Sequence, residues 1–183
     1  MIAGLYLNPQ FLTAAACARI RAAMDRGVSE PAEILEHTVA LDRDVRAATS
    51  VDVDSDTLTF VESALDAERE SIAAFFGTPL SDREGAGFLR YEPGGRYRAH
   101  RDRGFVASWP AAQRRRVSIV LFLNSFGDPS DGEFTGGLLR LLEPHSRDIV
   151  PRQGLLVAFP AATLHEVTEV TDGTRDVIVD WFY

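Results

Sequence analysis

Two histidines and an aspartate in the second half of the chain are residue types that can hold a metal ion. His100 and Asp102 are one residue apart, and His165 follows much later. On a β-strand, residues i and i+2 project to the same face, so His100 and Asp102 can converge on one ion. Two imidazoles and one carboxylate can cover one face of an octahedral metal and leave the other open, as in non-haem Fe(II) oxygenases. These three residues are therefore predicted metal ligands.

The spacing of His100 and Asp102 is not specific by itself. A short motif of this kind arises by chance, and the pair equally fits a strand-end histidine hydrogen-bonded to a neighbouring aspartate. Support for a metal site comes from the segment that begins at His165.

Residues His165 to Tyr183 are predicted to form a β-hairpin with its turn at Asp172-Gly173. A two-residue turn places His165 and Arg175 on opposite faces, whereas a three-residue loop with a bulge at Gly173 places them on the same face. The second register gives one face that is apolar apart from the histidine and the arginine: His165, Val167, Arg175, Val177, Val179 and Trp181. Because the apolar face should point inward, the bulged register is favoured.

This register buries the guanidinium of Arg175 beside a metal ligand. A buried permanent charge requires an anionic partner, and a carboxylate can accept two parallel hydrogen bonds from arginine. That partner is either a bound ligand or an internal carboxylate, Glu169 or Asp180. The first alternative predicts an open metal face beside an anchor for a carboxylate-bearing ligand.

Composition limits the class of protein. At 183 residues, with 45% apolar and 25% charged residues, the chain suits a single soluble domain. No apolar run approaches the ~20 residues of a membrane span, and the N-terminus has no export-signal pattern. The single cysteine, Cys17, excludes an internal disulfide framework and fits a reducing compartment. We expect a cytoplasmic protein without membrane attachment.

Charge bears on the partners of the chain. The net charge of −8 disfavours a surface that grips nucleic acid non-specifically. One basic run, Arg114–Arg116, directly precedes the most apolar segment. It is either a solvated strand entrance or a cationic rim that receives an acidic substrate or partner.

The first 80 residues are predicted to be a mainly helical support region. A helix is expected to begin at Asn8-Pro9 and to stop at Gly27, and one or two strands are expected between Ile34 and Asp54. A second helix, capped by Asp54 or Ser55, should end at Gly77.

From Gly85 onward, short apolar runs alternate with turn residues, which predicts a sandwich, jelly roll or barrel. Val117–Leu123 is nearly all apolar and is expected to be a central strand covered on both faces. Two segments, Gly104–Gln113 and Phe126–Thr135, are predicted loops. The first contains Trp109 and is either a lid over the site or a plain surface loop.

Several blocks in the second half resemble the prolyl 4-hydroxylase-like branch of the Fe(II)/2-oxoglutarate dioxygenases. The resemblance extends over residues ~86–183 and is carried by Arg90–Asp102, Arg116–Asn124, Gly136–Leu138, Val150–Phe159 and His165–Arg175. It implies a mainly β, α+β fold: a double-stranded β-helix (a cupin-like jelly roll) with N-terminal helices packed on one sheet. The implied organisation is a single domain over 1–183, with a catalytic core at 81–183.

The resemblance also implies roles for individual residues. His100, Asp102 and His165 would hold Fe(II), and Arg175 would bind the distal carboxylate of 2-oxoglutarate. Tyr91 would lie beside this co-substrate, and Trp181 would line the pocket. Where some members have a tyrosine that helps to hold the distal carboxylate, this chain has Phe122, so Ser118 or Tyr91 is expected to compensate. Ascorbate is a candidate additional cofactor.

The implied activity is a hydroxylation in which 2-oxoglutarate and dioxygen yield succinate and CO2. The acceptor would be a prolyl or other residue of a peptide or protein, or a free amino acid or small metabolite. One alternative is a cupin-like metal-binding or sensor module without turnover. Another, disfavoured by the charge and by the lack of an arginine after Arg175, is a nucleic-acid demethylase. The presence of Asp102 argues against a halogenase, and His37 and His145 are given no role.

Overall fold

The computed structural model describes residues 4–35, 39–40, 42, 44–104 and 110–183. Two antiparallel β-sheets face each other, and two helices cover one of them. In chain order the elements are β1 (Tyr6–Asn8), α1 (Ala14–Met24), β2 (Ser29–Pro31), β3 (Ile34–Leu35), β4 (Val39–Ala40), β5 (Arg46–Ala47), β6 (Thr49–Val51), α2 (Ser55–Phe76), β7 (Gly87–Tyr91), β8 (Arg96–His100), β9 (Val117–Phe122), β10 (Phe134–Gly136), β11 (Leu139–Leu141), β12 (Arg147–Ile149), β13 (Leu156–Pro160), β14 (His165–Val167), β15 (Val170–Gly173) and β16 (Arg175–Phe182).

The larger sheet has the strand order β1-β13-β9-β16-β7-β6-β2, and the smaller has the order β12-β11-β14-β8-β5. β9 lies between β13 and β16, and all six of its residues are buried. The prediction of a central strand covered on both faces is therefore confirmed. Its apolar residues alternate between two cores, because Ile119 and Leu121 belong to the helix side and Val120 and Phe122 to the space between the sheets.

Both helices pack on the outer face of the larger sheet, as predicted. Ile20 of α1 and Leu65 of α2 share a core with Ile119 and Ile178 of the sheet. The second helix begins and ends as the sequence predicts, since the side chain of Asp54 accepts a hydrogen bond from the Thr57 amide and Gly77 ends the helix at φ 59°. None of the helices in the described ranges is long and apolar enough to cross a membrane.

The predicted start of the first helix was wrong. Asn8 is the last residue of β1, and α1 begins only after Thr13, whose hydroxyl accepts a hydrogen bond from the Ala16 amide. Asn8 caps a turn, because its side chain accepts from the amide of Gln10. Residues before 80 also contribute strands to both sheets, through β1, β2 and β6 in the larger sheet and β5 in the smaller.

The predicted hairpin between His165 and Tyr183 was wrong in its pairing. β14 belongs to the smaller sheet, β16 belongs to the larger one, and the intervening β15 pairs with β10. The chain therefore crosses from one sheet to the other between His165 and Arg175. The inward-facing set was nevertheless right, because all six residues of the predicted apolar face line one cavity between the sheets.

The helix-side core gives a test of this architecture. Leu65→Ala removes a side chain that is 0% exposed, and such truncations cost roughly 2–5 kcal/mol because a cavity remains. The same change at Leu7, which is 42% exposed, should cost less than about 1 kcal/mol. Chemical denaturation of both variants measures the difference, and equal losses would contradict the packing of α2 on the larger sheet.

Candidate functional site

The two predicted histidine ligands face each other on neighbouring strands. β14 pairs with β8 so that His165 lies opposite His100, and a shift in register separates this pair from the pair of Val167 and Tyr97. The ring centroids of the histidines are 4.2 Å apart. Strand pairing thus brings together two residues that are distant in sequence.

Asp102 completes this cluster from beyond the end of β8. Its two carboxylate oxygens lie 3.5 Å from Nε2 of His100 and 3.6 Å from Nε2 of His165. One donor atom from each of the three residues lies within 4.8 Å of the others. The expectation that His100 and Asp102 converge as i and i+2 of one strand was wrong, because β8 ends at His100 and Asp102 lies in the bend that follows.

The Asp102 carboxylate and its backbone are each held by a further residue. The hydroxyl of Ser118 donates to Oδ2 at 2.6 Å, and Nη1 of Arg115 donates to the backbone carbonyl at 3.1 Å. Arg115 is itself paired with Glu84 and lies 3.7 Å from the ring centroid of Trp181. Because Asp102 lies beyond the end of β8, these contacts, and not strand pairing, hold it in position.

Both histidines are oriented with Nε2 toward the centre of the cluster. Nδ1 of His100 lies 2.9 Å from the carbonyl oxygen of Arg98, and Nδ1 of His165 lies 2.9 Å from that of Thr163. A carbonyl only accepts hydrogen bonds, so each Nδ1 carries the proton and each Nε2 presents a lone pair. Histidines that bind metals commonly have such a partner on the second nitrogen.

The protonation states also suit a metal. Burial lowers the pKa of His165 to about 4, so this imidazole is neutral at neutral pH. Burial opposes ionisation of Asp102, but the pKa of this carboxyl still lies below its usual range, and the hydrogen bond from the Ser118 hydroxyl favours its ionised form. Two imidazole nitrogens and one carboxylate are the donor set that divalent iron accepts.

Arg175 is the most unusual residue of the cavity. Its side chain is 1% exposed, and Nε and Nη1 are buried without a hydrogen-bond partner. Burial lowers its pKa to about 10, which leaves it charged at neutral pH. The guanidinium carbon lies 4.8 Å from the ring centroid of Tyr91 and 5.3 Å from that of Phe122.

The internal salt bridge considered for Arg175 does not form. Asp180 points to the opposite face of β16, where it accepts hydrogen bonds from Arg83 and from the Gly85 amide. Glu169 is exposed, and neither carboxylate lies within ion-pair distance of Arg175. Neither of the two predicted internal partners therefore compensates Arg175.

Gly137 makes room for the Arg175 side chain. A Cβ at this position would lie 2.8 Å from Cδ of Arg175 and 3.0 Å from the side chain of Val170, and the backbone has φ +58°. Only glycine combines this close approach with the left-handed conformation at little cost. The Gly136-Gly137 pair of the sequence thus has a structural reason.

One cavity of about 70 Å³ between the sheets collects most of the predicted site residues. Its lining includes His100, Asp102, His165, Arg175, Tyr91 and Trp181. Ser118 is not part of this lining, and its hydroxyl is used by Asp102. Residues 105–109 of the predicted lid, including Trp109, and His37 lie outside the described residues, while His145 is exposed.

Sequence reasoning missed three side chains of the cavity. Tyr97 stacks on His100 with a ring separation of 3.5 Å, and Arg46 lies 4.7 Å from the Tyr97 ring. Arg115, the middle residue of the basic run, is 3% exposed, so neither a solvated entrance nor an open rim describes it. Its position directly before a buried strand was the available signal, whereas nothing in the local pattern singled out Arg46.

Comparison with known proteins identifies the class. Residues 86–183 match the 2OG-Fe(II) oxygenase superfamily, and the chain belongs to that family. Its members use Fe(II), 2-oxoglutarate and dioxygen, and the residues described above include a cluster that could hold the iron. The fold is the double-stranded β-helix of the prolyl hydroxylases, as predicted.

The individual relatives are hydroxylases. A PKHD-type hydroxylase of Prochlorococcus marinus is 37% identical over 98 residues, which are 53% of this chain and 40% of that protein. Another, from Parvibaculum lavamentivorans, is 39% identical over 93 residues, 50% of this chain and 38% of that protein. The match thus spans about 40% of the length of these relatives.

Solved structures match the chain over nearly its full length. A prolyl-4-hydroxylase from Pseudomonas putida has a TM-score of 0.74 and 27% identity, over 98% of this chain and 92% of that one. A prolyl hydroxylase from Trichoplax adhaerens, in complex with a peptide fragment of hypoxia inducible factor, has a TM-score of 0.78 over 99% and 84% of the two chains. At 20% identity the second likeness concerns the fold alone.

A matched pair of glycine variants tests the arrangement around Arg175. Gly137→Ala and Gly77→Ala place Cβ at nearly the same positive φ, +58° and +59°, but only the first meets Arg175, since nothing lies within 4 Å of the second. Each should lose about 1–2 kcal/mol of stability from backbone strain. Only Gly137→Ala should also weaken 2-oxoglutarate binding, by roughly tenfold if one charged hydrogen bond is disturbed. Calorimetric titration measures the affinity of both variants for 2-oxoglutarate. Equal affinities would contradict the role of Gly137 in making room for Arg175.

Proposed function

We propose that this chain is an Fe(II)- and 2-oxoglutarate-dependent hydroxylase in which His100, Asp102 and His165 hold the iron and Arg175 binds the distal carboxylate of 2-oxoglutarate. The observation that carries the proposal is the buried guanidinium of Arg175, which has two unpartnered nitrogens and lies in the same cavity as the three metal donors. A fixed cation with no carboxylate partner among the described residues fits a carboxylate ligand, because an anion offsets its desolvation.

The residues present fit the missing groups. The two Nε2 atoms and the Asp102 carboxylate converge, and nothing else in the described chain uses the Nε2 lone pairs. When bound, iron supplies the oxidation chemistry, in which 2-oxoglutarate and dioxygen become succinate and CO2 and one oxygen atom enters a C–H bond of the acceptor. The protein's part is to orient the reactants and to exclude water.

Individual side chains divide these tasks. Arg175 orients 2-oxoglutarate through Nε and Nη1, while Tyr91 packs beside its guanidinium. Val177 and Val179 of β16 supply apolar walls. Ser118 and Arg115 act as positioning residues, because they fix the carboxylate and the backbone of Asp102.

The acceptor is proposed to be a prolyl or other amino-acid residue of a peptide, or a free amino acid. The likeness to the Pseudomonas putida prolyl-4-hydroxylase, at 27% identity, supports the amino-acid class. Residues 81–183 are proposed as the catalytic core and residues 1–80 as its support within a single domain over residues 1–183, consistent with the packing of α1 and α2 on the larger sheet.

The first test is an anaerobic titration of the Fe(II) protein with 2-oxoglutarate, followed through the visible metal-to-ligand charge-transfer band. A saturable band is expected. Arg175→Ala should weaken 2-oxoglutarate by about tenfold or more, since hydrogen bonds to charged groups contribute about 1.5–3 kcal/mol each, with iron affinity nearly unchanged. Arg147→Ala, which removes an exposed arginine, is the matched control.

Two results would contradict this assignment. Unchanged 2-oxoglutarate affinity in Arg175→Ala, or in the better space-filling Arg175→Met, would remove Arg175 from co-substrate binding. A band without any release of succinate in air would favour the alternative of a metal-binding sensor.

Metal binding is tested with a pair of histidine variants. His165→Ala removes one of three donors and should abolish stoichiometric iron binding at micromolar protein, as measured by metal analysis after gel filtration. His145→Ala removes an exposed histidine and should bind iron like the parent. Full iron occupancy in His165→Ala would overturn the proposed ligand set.

A further inference from the structure

A second cavity adjoins the metal cavity and is larger. This groove, of about 690 Å³, is lined by residues between 30 and 50 and by four later residues, Glu84, Leu89, Arg115 and Trp181. Four residues line both spaces: Arg46, Leu89, Arg115 and Trp181. They form the boundary that a molecule reaching the metal from the groove would pass, and we call them the boundary residues.

Two boundary residues carry a buried polar atom without a partner. They are Nε of Arg46 and Nε1 of Trp181. Buried donors are normally satisfied, so an orphaned pair on the wall of an open cavity marks a place where a ligand can accept hydrogen bonds. Arg115 differs, because its charge is compensated by Glu84.

The charge of Arg46 is also unused within the described chain. Nη1 donates to the backbone carbonyl of Glu33 at 2.6 Å, and the guanidinium carbon lies over the Tyr97 ring at 4.7 Å. No carboxylate of the described residues lies within 4 Å of it. Arg46 is therefore held in place by neutral groups and remains available to an anion.

We propose that Arg46 and Trp181 bind a carboxylate of the acceptor substrate, at a site separate from the Arg175 anchor. The inference rests on the proposed function, since it needs an iron at the triad and an acceptor in the cavity. It narrows the acceptor to molecules that carry a carboxylate near the oxidised carbon, such as a free amino acid or the carboxylate end of a peptide.

The stacking of side chains supports a short distance between the proposed carboxylate site at Arg46 and the metal donors. Arg46 packs on Tyr97, and Tyr97 stacks on the ligand His100 at 3.5 Å. One aromatic ring thus separates the guanidinium from a metal ligand. A carboxylate bound by Arg46 would therefore keep the rest of a small molecule close to the three metal donors.

The charges of the groove limit the acceptor to a single anionic group. Glu30 and Glu33 line the groove but not the metal cavity, and Glu84 in the groove is paired with Arg115. The two glutamates Glu30 and Glu33 would repel a polyanion such as a nucleic-acid strand, because like charges across a narrow groove are unfavourable. A molecule with a single carboxylate, bound by Arg46, is repelled less.

The test uses the anaerobic Fe(II) protein saturated with 2-oxoglutarate. Free L-amino acids, their carboxamides and their phosphonate analogues are titrated in parallel by calorimetry, together with dipeptides bearing free or amidated C-termini. At least one carboxylate should bind about tenfold more tightly than its amide, as one charge-assisted hydrogen bond predicts. Tighter binding of the phosphonate than of the carboxylate would overturn the carboxylate assignment.

Variants locate the effect. Arg46→Gln should abolish the preference for acid over amide, Arg46→Lys should retain part of it, and Trp181→Phe should weaken the acid by about threefold or more while keeping the ring on Arg115. Arg147→Gln, at an exposed site, should behave as the parent. A preference that survives in Arg46→Gln, or equal binding of acids and amides by the parent, would overturn the proposal.

The 2-oxoglutarate charge-transfer band is recorded for each variant. No band in the parent would overturn the proposed function itself. A band in the parent with no preference for carboxylates would overturn only the acceptor site. Loss of the band in Arg46→Gln would place Arg46 in co-substrate binding and would likewise contradict the inference.

Discussion

An uncompensated positive charge inside an apolar wall is the constraint on which the site depends. Arg175 remains charged although its side chain is 1% exposed and two of its nitrogens have no partner. Such a charge lowers the stability of the folded state, and binding of the proposed carboxylate ligand would remove this cost. The surroundings accept this arrangement through shape, since Gly137 leaves the space and Tyr91 and Phe122 present ring faces to the guanidinium.

The residue after Arg175 on β16 is also buried and charged, but its charge is negative and is paired within the protein. Asp176 points to the helix side of β16, is 0% exposed, and accepts hydrogen bonds from Arg21 and Arg90 at 2.7–3.0 Å. Its amide donates to the side chain of Asn124. Because successive side chains of a strand alternate between faces, Asp176 is paired on the helix side, whereas Arg175 faces the cavity and stays available to the proposed ligand. The paired Asp176 ties α1 and β7 to the strand and thereby fixes the backbone from which Arg175 projects.

Local alternation in the sequence was enough to find the inward face of β16, and residue types and spacing indicated three side chains that the structure brings together as a possible metal site. It could not reveal which sheet each strand joins, because pairing is decided by contacts between distant segments, and the hairpin prediction failed for that reason. Strand geometry was also the predicted reason for the convergence of His100 and Asp102. In the structure, Ser118 and Arg115 hold Asp102 in place beyond the strand end. Arg46 escaped notice because its role depends on the pairing of β5 with β8, which no local motif encodes.

Three arginines on the cavity walls differ in how their charges are compensated. They also differ in whether they line the metal cavity alone or the groove as well. Arg115 is neutralised by Glu84 and serves the backbone of Asp102. Arg175 has no carboxylate partner among the described residues and lines the metal cavity but not the groove, whereas Arg46 lines both. A chain of net charge −8 would repel small acids from most of its surface, so two guanidinium groups without a carboxylate partner among the described residues concentrate the attraction at this one place. Because only Arg46 reaches the groove, the two proposed anion sites would differ in their access to solvent.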